Sequence, residues 1–489
     1  EQIGSATLVL ESGIIARPSF SDNTFRFTGL ERHFTGEIDW DFRAHGRLWT
    51  YNLNYFDFLH QPGMTKETGL RLIKSWINQI QPGSAGMEPY PLSVRGINWI
   101  RFISHHGVDD QEIIYNLFFQ FQKLMKRVEF HLMGNHLLEN GFSLFFAGFF
   151  FNDAQFRKKG EKILQKELQE QILNDGGHFE LSPMYHQLML HRVLDSNNLA
   201  MNTPAIPCSI NDVLRSSAEK MLSWLRAISW KDGEIPMLND ASPRIAPTTD
   251  QLYSYAGRLG ITARSGIRLN DSGYRKFETP DYELLVDVGQ IGPAYIPGHA
   301  HADALSFELR ISGRPFLVDT GTSTYENNEI RRYERSTRAH NTVLVGETDQ
   351  SEVWGSHRVG KRAGVTILGE DQSSVHAFHD GYRTMNVIHS RRFFAQPGNI
   401  VIEDNLEGKH RTTGVALFHF HHEIKPLLQS DVIRTNPAKI SFQGHDRIEL
   451  RDCLIADGFN NRVISTVAEV TFAGQLKTTI ELENPLSHR

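Results

Sequence analysis

Cysteine is nearly absent. Cys208 and Cys453 are the two in 489 residues, so the chain is no disulfide scaffold, and spacing alone does not say whether they pair. Apolar runs long enough to cross a bilayer are also missing. The longest, near 142–151, falls well short of the roughly 20 residues that a spanning helix needs. Positive charge is not in surplus: 51 Lys and Arg stand against 57 Asp and Glu, for a net charge of −6. That argues against a general nucleic-acid or anionic-membrane binder, while leaving room for a local basic cluster that holds an anionic substrate. No glycine-rich phosphate loop, Gly-x-Ser-x-Gly elbow or zinc-finger cysteine pattern occurs, so nucleotide hydrolysis, esterase chemistry and finger-type DNA binding leave the front rank. No signal segment is visible, but the numbered chain starts at Glu1 rather than Met, which fits a removed or trimmed leader.

What is present is enough apolar material for sizeable cores, 40% of residues, in a length that suits two or three domains. Residues 1–60 are rich in rings, among them Phe25, Phe27, Trp40, Trp49, Tyr51, Tyr55 and Phe58. Rings interleaved with amides suit sugar binding, and they equally suit a core. From about 65 to 260 the apolar period is helical. Ile73, Trp76, Ile77 and Ile80 fall at i, i+3, i+4 and i+7, and Leu164, Leu168 and Ile172 repeat every four. Breakers such as Pro82-Gly83 and Asp175-Gly176-Gly177 punctuate the run, which predicts an array of helical hairpins. After Ser265 short β-branched and aromatic runs take over, including Leu284–Val288, Leu305–Ile311, Asn341–Val345, Ile440–Phe442, Ile448–Leu450 and Val463–Phe472. Many short strands in sequence predict an antiparallel sandwich. The expected chain is multidomain α+β: an aromatic N-terminal segment (1–60), a helical domain (61–265) and a β-sandwich domain (266–489).

The densest chemistry is Gly298-His299-Ala300-His301-Ala302-Asp303, after a Pro-Gly turn and before an alternating run. Two imidazoles and a carboxylate at steps of two suit catalysis or a metal, and regular extension would put them on one face. Val318-Asp319-Thr320-Gly321 ends one strand with an acid, and Arg338-Ala339-His340-Asn341 opens another with an imidazole. His, Asp and His from separate strand ends form a divalent-metal donor set suited to zinc or manganese. In the helical half, Gly134-Asn135-His136 opens an apolar segment. Leu181-Ser182-Pro183-Met184-Tyr185-His186 places Tyr185 in the first turns of a helix started by Pro183. Arg95 or Arg101 offers a planar fork that fits a carboxylate, or the pair belongs to a solvated helix face. In Pro236-Met237-Leu238-Asn239-Asp240 the acid is a general acid or a helix cap.

Together these motifs resemble the heparinase II/III family of polysaccharide lyases. The specific part is the β-half set: Gly298 to Asp303, Val318 to Gly321, and Arg335 to Thr342. The resemblance extends over roughly 40–480 and implies that the helical half is an incomplete (α/α) toroid. The implied reaction is β-elimination at a uronic acid, on a glycosaminoglycan (heparan sulfate, chondroitin sulfate or hyaluronan) or on alginate. Asn135 and His136 match residues that neutralise the substrate carboxylate, an oxyanion-hole role, with Arg95 as a helper. Tyr185 matches the family's catalytic tyrosine, and His299 the histidine that faces the cleft. Tyr185 as acid and His299 as base suit one uronate epimer, and Tyr185 in both roles the other. Tyr325 and Asn239 are expected substrate contacts. His301, Asp319 and His340 match the ligands of one structural divalent metal ion. The implied partner is an anionic polysaccharide, with no nucleic acid and no membrane span, in a secreted or periplasmic setting. Oligomeric state, epimer preference and endo or exo action are not legible.

Two other readings stand beside it. A glycoside hydrolase on a helical toroid needs two carboxylates across a cleft, for which Glu180 and Asp240 are available. A polysaccharide-binding protein without catalysis would keep the aromatic rings, and an intact set of Asn135, His136, Tyr185 and His299 counts against it.

Overall fold

A computed structural model describes residues 3–204 and 206–483. The chain forms two compact units. One comprises Glu1–Ile172, Gln187–Leu222 and Asp250–Arg264; the other comprises Leu173–His186, Ser223–Thr249 and Ser265–Arg489.

The first unit is mainly helical, and at three of its helices a side chain pairs orphan N–H groups of the first turn. Thr65 caps Lys66–Gln79 by accepting from Thr68 N at 3.1 Å. Asp110 caps Gln111–Lys126 and Asp153 caps Ala154–Gln171 in the same way. The apolar period then buries one stripe, with Leu72, Ile73 and Trp76 all fully buried. The helix Gly134–Phe150 is buried on nearly all sides. It pairs with Ala154–Gln171 across a glycine contact, where a Cβ on Gly160 would stand 2.5 Å from Phe145 N.

Most of the named rings of the N-terminal segment pack into a core, while Tyr51 and Tyr55 stay half-buried. Phe25, Trp49, Phe56 and Phe58 have no exposed surface. Trp40 stacks on Phe56 at 5.1 Å between centroids, and Trp49 donates to Leu30 O. A three-stranded sheet, Phe20–Ser21, Thr24–Phe27 and Leu30–His33, carries part of that cluster.

The second unit is an antiparallel β-sandwich. A four-stranded sheet runs Tyr274–Glu278, Tyr282–Asp287, Phe307–Ile311, Arg314–Leu317. A ten-stranded sheet is built around the long pair Ala438–Ala456 and Arg462–Leu482. Side chains from both sheets, such as Leu284, Phe307 and Leu309 with Phe393, Phe418 and Ile480, share one core. The expected order of helical part and then sandwich is therefore what the chain adopts. Several strand bounds differ from the expected ones, among them Asn341–Val345, which is Val343–Val345, and Val463–Phe472, which is Arg462–Leu482. The strands expected at Ile440–Phe442 and Ile448–Leu450 are one strand, because the polar interval around Gly444 is a pair of register shifts inside the ladder and not a turn. The strand expected from Leu305 starts at Phe307, because Leu305 takes a φ of 60°. Cys208 and Cys453 are both free thiols. Among the described residues no helix is long and apolar enough to cross a membrane.

Candidate active site

The stretch Gly298–Asp303 is not extended. Ala300 N donates to Pro297 O and Ser306 N to Asp303 O, and each of those bonds is a local turn. His299 and His301 are thereby freed from the shared strand face that alternation implied. They meet again on one carboxylate: His299 Nδ1 lies 2.8 Å from Asp240 Oδ2, and His301 Nε2 lies 2.9 Å from Asp240 Oδ1. The backbone locks this arrangement from the same side, since Asp240 N donates to His299 O at 3.1 Å and Asn239 Oδ1 accepts from His301 N at 3.2 Å.

Asp240 is fully buried. Arg331 grips it with both terminal nitrogens, one at 2.8 Å from Oδ2 and the other on Oδ1. Thr322 Oγ1 adds a contact at 3.3 Å. Burial alone would push the acid up, but the Arg331 charge and the hydrogen bonds from His299, His301 and Arg331 outweigh it and hold the carboxyl well below its usual range.

Tyr185 sits where Pro183 was expected to put it, in the first turn of the helix Pro183–Asn202, with its N–H on the capping hydroxyl of Ser182. Ser182 Oγ in turn donates to Asp240 O at 2.7 Å, so the cap ties Tyr185 to the Asp240 segment. The Tyr185 ring lies 3.9 Å from the His299 ring, centroid to centroid, and its hydroxyl lies 3.2 Å from that of Tyr325. Burial first, then the nearby Tyr325, Asp240 and Glu180, raise the Tyr185 phenol well above its ordinary value of 10. Tyr325 is held by the Arg331 guanidinium, 5.0 Å over its ring, and by Phe459 at 4.9 Å. Glu180 Oε2 stands 3.7 Å from His299 Nε2, so the imidazole has a carboxylate toward each nitrogen. His357 packs 5.6 Å from His299, and burial drives it down to about 4.

The expected metal ligands are close together and buried. His340 Nδ1 is 2.6 Å from Asp319 Oδ2, and the rings of His301 and His340 are 5.3 Å apart. His301 Nδ1, His340 Nε2 and Asp303 Oδ2 are buried polar atoms without a hydrogen-bond partner. Orphans of that kind, two imidazole nitrogens and a carboxylate oxygen, fit a divalent ion. The carboxylate that completes the set is Asp319, already engaged by His340 and by Gly321 N, or Asp303 with its bare oxygen. As they stand, however, the donors within 4.8 Å of one another among the described residues are those of Asp240, His299 and His357. A second cation on Asp240 would have to share that carboxylate with Arg331, which weighs against a divalent ion there.

Two expected substrate contacts turn out to be framework. Arg95, expected as a carboxylate helper, is fully buried and spends its guanidinium on Gln120 Oε1, Asn54 O and Gly86 O while stacking on Trp76 at 4.0 Å. Asn239, with a φ of 54°, spends its side chain on Leu181 O, Tyr274 and His301 N. Within the first unit, Asn135 is buried in the opening turn of Gly134–Phe150. His136 beside it is partly exposed, with Nδ1 3.2 Å from Glu129 Oε1 and its ring 4.5 Å from Tyr90. Glu129 also lines an open cleft of about 660 Å³ that carries Arg47, Lys126, Arg127 and His131.

Sequence reasoning did not find Arg331 or His357. Arg331 lies on the short helix Glu329–Arg335, where five residues in seven are charged and none of them stands out in the sequence. His357 stands alone in a loop and carries no motif. Asp240 was visible only as an acid or a cap.

The second unit is therefore a β-sandwich that holds a buried His-Asp-Arg network against a tyrosine pair, an arrangement suited to proton transfer. The chain belongs to the heparinase II/III family: the model of the heparinase II/III N-terminus matches residues 20–257, and the heparinase II/III-like C-terminal model matches 262–483. It is similar to a heparin-sulfate lyase of Bacteroides stercoris, 25% identical over 312 residues that make up 57% of this chain and 44% of that protein. A heparin-sulfate lyase of Bacteroides thetaiotaomicron is 26% identical over 53% of this chain and 42% of that protein. The matched region thus spans less than half the length of these curated relatives. In fold, the chain resembles a crystal structure of heparinase III, with a TM-score of 0.68 at 18% identity over 92% of this chain and 80% of that one.

Proposed function

We propose that this chain is a polysaccharide lyase that cleaves a uronic-acid-containing glycosaminoglycan by β-elimination and leaves a 4,5-unsaturated uronate. The observation that carries the reading is the contact of the Tyr185 phenol with the His299 imidazole, beside an anion that orients the imidazole. Elimination needs a base for the carbon 5 proton and an acid for the departing O4. The base takes the proton, the carbon–hydrogen pair becomes the C4–C5 double bond through an enolate-like state, and the C4–O4 bond breaks as the acid protonates oxygen. No water is consumed and nothing is oxidised.

His299 is the base in this assignment, with Asp240 holding its Nδ1 side. Tyr185 is the acid, and its raised pKa supports that role because the phenol keeps its proton at neutral pH. The same shift makes phenolate costly, so Tyr185 serves as both base and acid only where the second uronate epimer puts both transfers on its face. Asn135 and His136 are assigned the substrate carboxylate on the family resemblance. Tyr325 is assigned to Tyr185, whose hydroxyl it contacts. A divalent ion held by His301, His340 and Asp319 or Asp303 would supply a cross-link among β-unit loops, outside the proton transfers. Lys126, Arg127 and His131 along the first unit's cleft, where Arg47 is paired with Glu88, support an anionic polymer as substrate, and the names of the curated relatives favour a heparan-type chain. A polymer of that size is met outside the cell or in the periplasm, which is the location proposed.

Hydrolysis by Glu180 and Asp240 is disfavoured, because Asp240 is a buried anion saturated by Arg331 and two histidines and has no proton to give. The test is incubation with heparan sulfate, chondroitin sulfate, hyaluronan and alginate. The expected product absorbs in the ultraviolet as a conjugated uronate. Chain shortening with saturated ends only would replace the lyase with a hydrolase, and unchanged chains with retained binding would leave a binding protein.

A further inference from the structure

We infer that Asp240 is a positioning residue shared by two histidines, fixing His299 to act through Nε2 and His301 to present Nδ1 for metal ligation. The inference rests on the lyase reading for its catalytic arm and deepens it. Each Asp240 oxygen meets a different imidazole nitrogen: Oδ2 meets Nδ1 of His299, and Oδ1 meets Nε2 of His301. An ionised carboxylate only accepts, so both nitrogens must carry the proton. A neutral imidazole has one proton, so the other nitrogen in each ring carries the lone pair. For His299 that is Nε2, and for His301 it is Nδ1, which is buried without a partner.

Rigidity comes from the cation behind it. Arg331 binds both oxygens through its paired terminal nitrogens, and its Nε donates to Ser356 O, so the carboxylate plane is fixed. Rotating Asp240 to improve one histidine would break the other. His299 and His301 are two residues apart, and the turn between them places opposite ring nitrogens on one acid. The sequence spacing His-x-His does not do that by itself. One buried carboxylate therefore sets the tautomer of the base and of a metal ligand together.

The experiment compares wild type, Asp240→Asn, His299→Ala and the double variant on whichever uronate polymer the wild type cleaves. Zinc affinity is measured by competition with a chromophoric chelator. An asparagine amide keeps the shape but cannot accept from both rings. Asp240→Asn is expected to lower kcat by about 10³- to 10⁴-fold with KM within about threefold, the scale seen when an orienting aspartate is lost from a histidine base. The double variant is expected to lose no more than about threefold beyond His299→Ala, because orienting an absent ring is worth nothing. Zinc affinity is expected to fall about 10- to 100-fold in Asp240→Asn and to stay at the wild-type value in His299→Ala. Additive losses in the double variant, or full zinc affinity in Asp240→Asn, overturn the inference.

If Asp240→Asn does not fold, the tautomers are read directly in zinc-loaded wild type with ¹⁵N-labelled imidazoles, the His299 signals being identified by their loss in His299→Ala. A protonated Nδ1 on His299 and a protonated Nε2 on His301 are expected, and the opposite tautomer at either residue overturns the inference. A wild type that releases no unsaturated product from any uronate polymer sinks the lyase reading instead, and the tautomer and zinc measurements still decide the role of Asp240.

Discussion

The ring of Tyr185 lies over that of His299 at 3.9 Å with 31° between their planes, although 114 positions separate them in sequence. The pair brings an oxygen that keeps its proton next to a nitrogen whose orientation is fixed. Its members are expected to fail differently from their neighbours.

Tyr185→Phe and His299→Ala should each lower kcat by about 10²- to 10⁴-fold, the usual worth of a positioned acid or base. The assay is ultraviolet product formation on glucuronate-rich and iduronate-rich chains, with thermal unfolding as the control for folding. Unchanged turnover of both variants on both chains would remove the pair from the mechanism.

Tyr325→Phe should have a smaller effect. It deletes the hydroxyl that contacts Tyr185 and leaves the ring packed under Arg331. Loss of one neutral hydrogen bond predicts a roughly 2- to 12-fold drop in kcat, from about 0.5–1.5 kcal/mol. A drop beyond about 100-fold would make Tyr325 a proton donor in its own right.

Arg331→Leu should cost stability before anything else. It would leave Asp240 buried with its main counter-charge gone, a change that typically destabilises by about 3–5 kcal/mol. Chemical denaturation is the measurement, and a midpoint equal to wild type would mean that the Asp240 histidines carry the anion unaided.

Acid should weaken the β-unit through a buried relay. Gly381 N donates to His379 Nδ1, so His379 Nε2 donates to His389 Nδ1 at 3.0 Å, and His389 Nε2 donates to Asp404 at 2.7 Å. Burial first, then the facing imidazole and Arg391, pull His379 well below its ordinary 6.5; burial also lowers His389 against the pull of Asp404. The unfolded chain then takes up protons that the folded chain refuses, so the contribution is full above pH 6.5 and is lost as pH falls below it. Each unit of depression is worth about 1.4 kcal/mol. His379→Gln, which cannot ionise, should flatten the decline of the unfolding temperature between pH 7 and 5 by about one proton. An unaltered slope would place the acid sensitivity elsewhere.

Gly160→Ala tests the helical hairpin. The added Cβ would meet Phe145 backbone at 2.5 Å, so Gly134–Phe150 and Ala154–Gln171 must move apart at a cost of about 1–3 kcal/mol. Gly36→Ala, which meets nothing within 4 Å, is the control and should stay within about 0.5 kcal/mol of wild type. Equal midpoints for the two would mean that the hairpin gives without strain.

Much of this was legible in the chain. Helical period, caps and breakers are local, and so is the switch to short strands after 265; these determine the order of helices and sandwich because they depend on neighbours a few residues apart. Pro183 announced the helix that carries Tyr185 for the same reason. Around Gly444 the sequence pattern suggests two strands where there is one, because a bulge and a turn use the same residues and only pairing partners distinguish them.

The site divides the same way. Sequence alone singled out the candidates for chemistry: Tyr185, His299, His301, Asp319 and His340 stand in motifs that are legible from residue type and spacing. The tertiary structure decided their directions. It drew Leu173–His186 and Ser223–Thr249 into the β-unit, which brought Tyr185 and Asp240 to His299. It spent Arg95 and Asn239 on internal hydrogen bonds, and it set Arg331 behind Asp240. A side chain's partners depend on which distant segments share its burial, and no local pattern encodes that. The two histidines that alternation placed on one face meet on Asp240 because a buried anion needs every donor within reach.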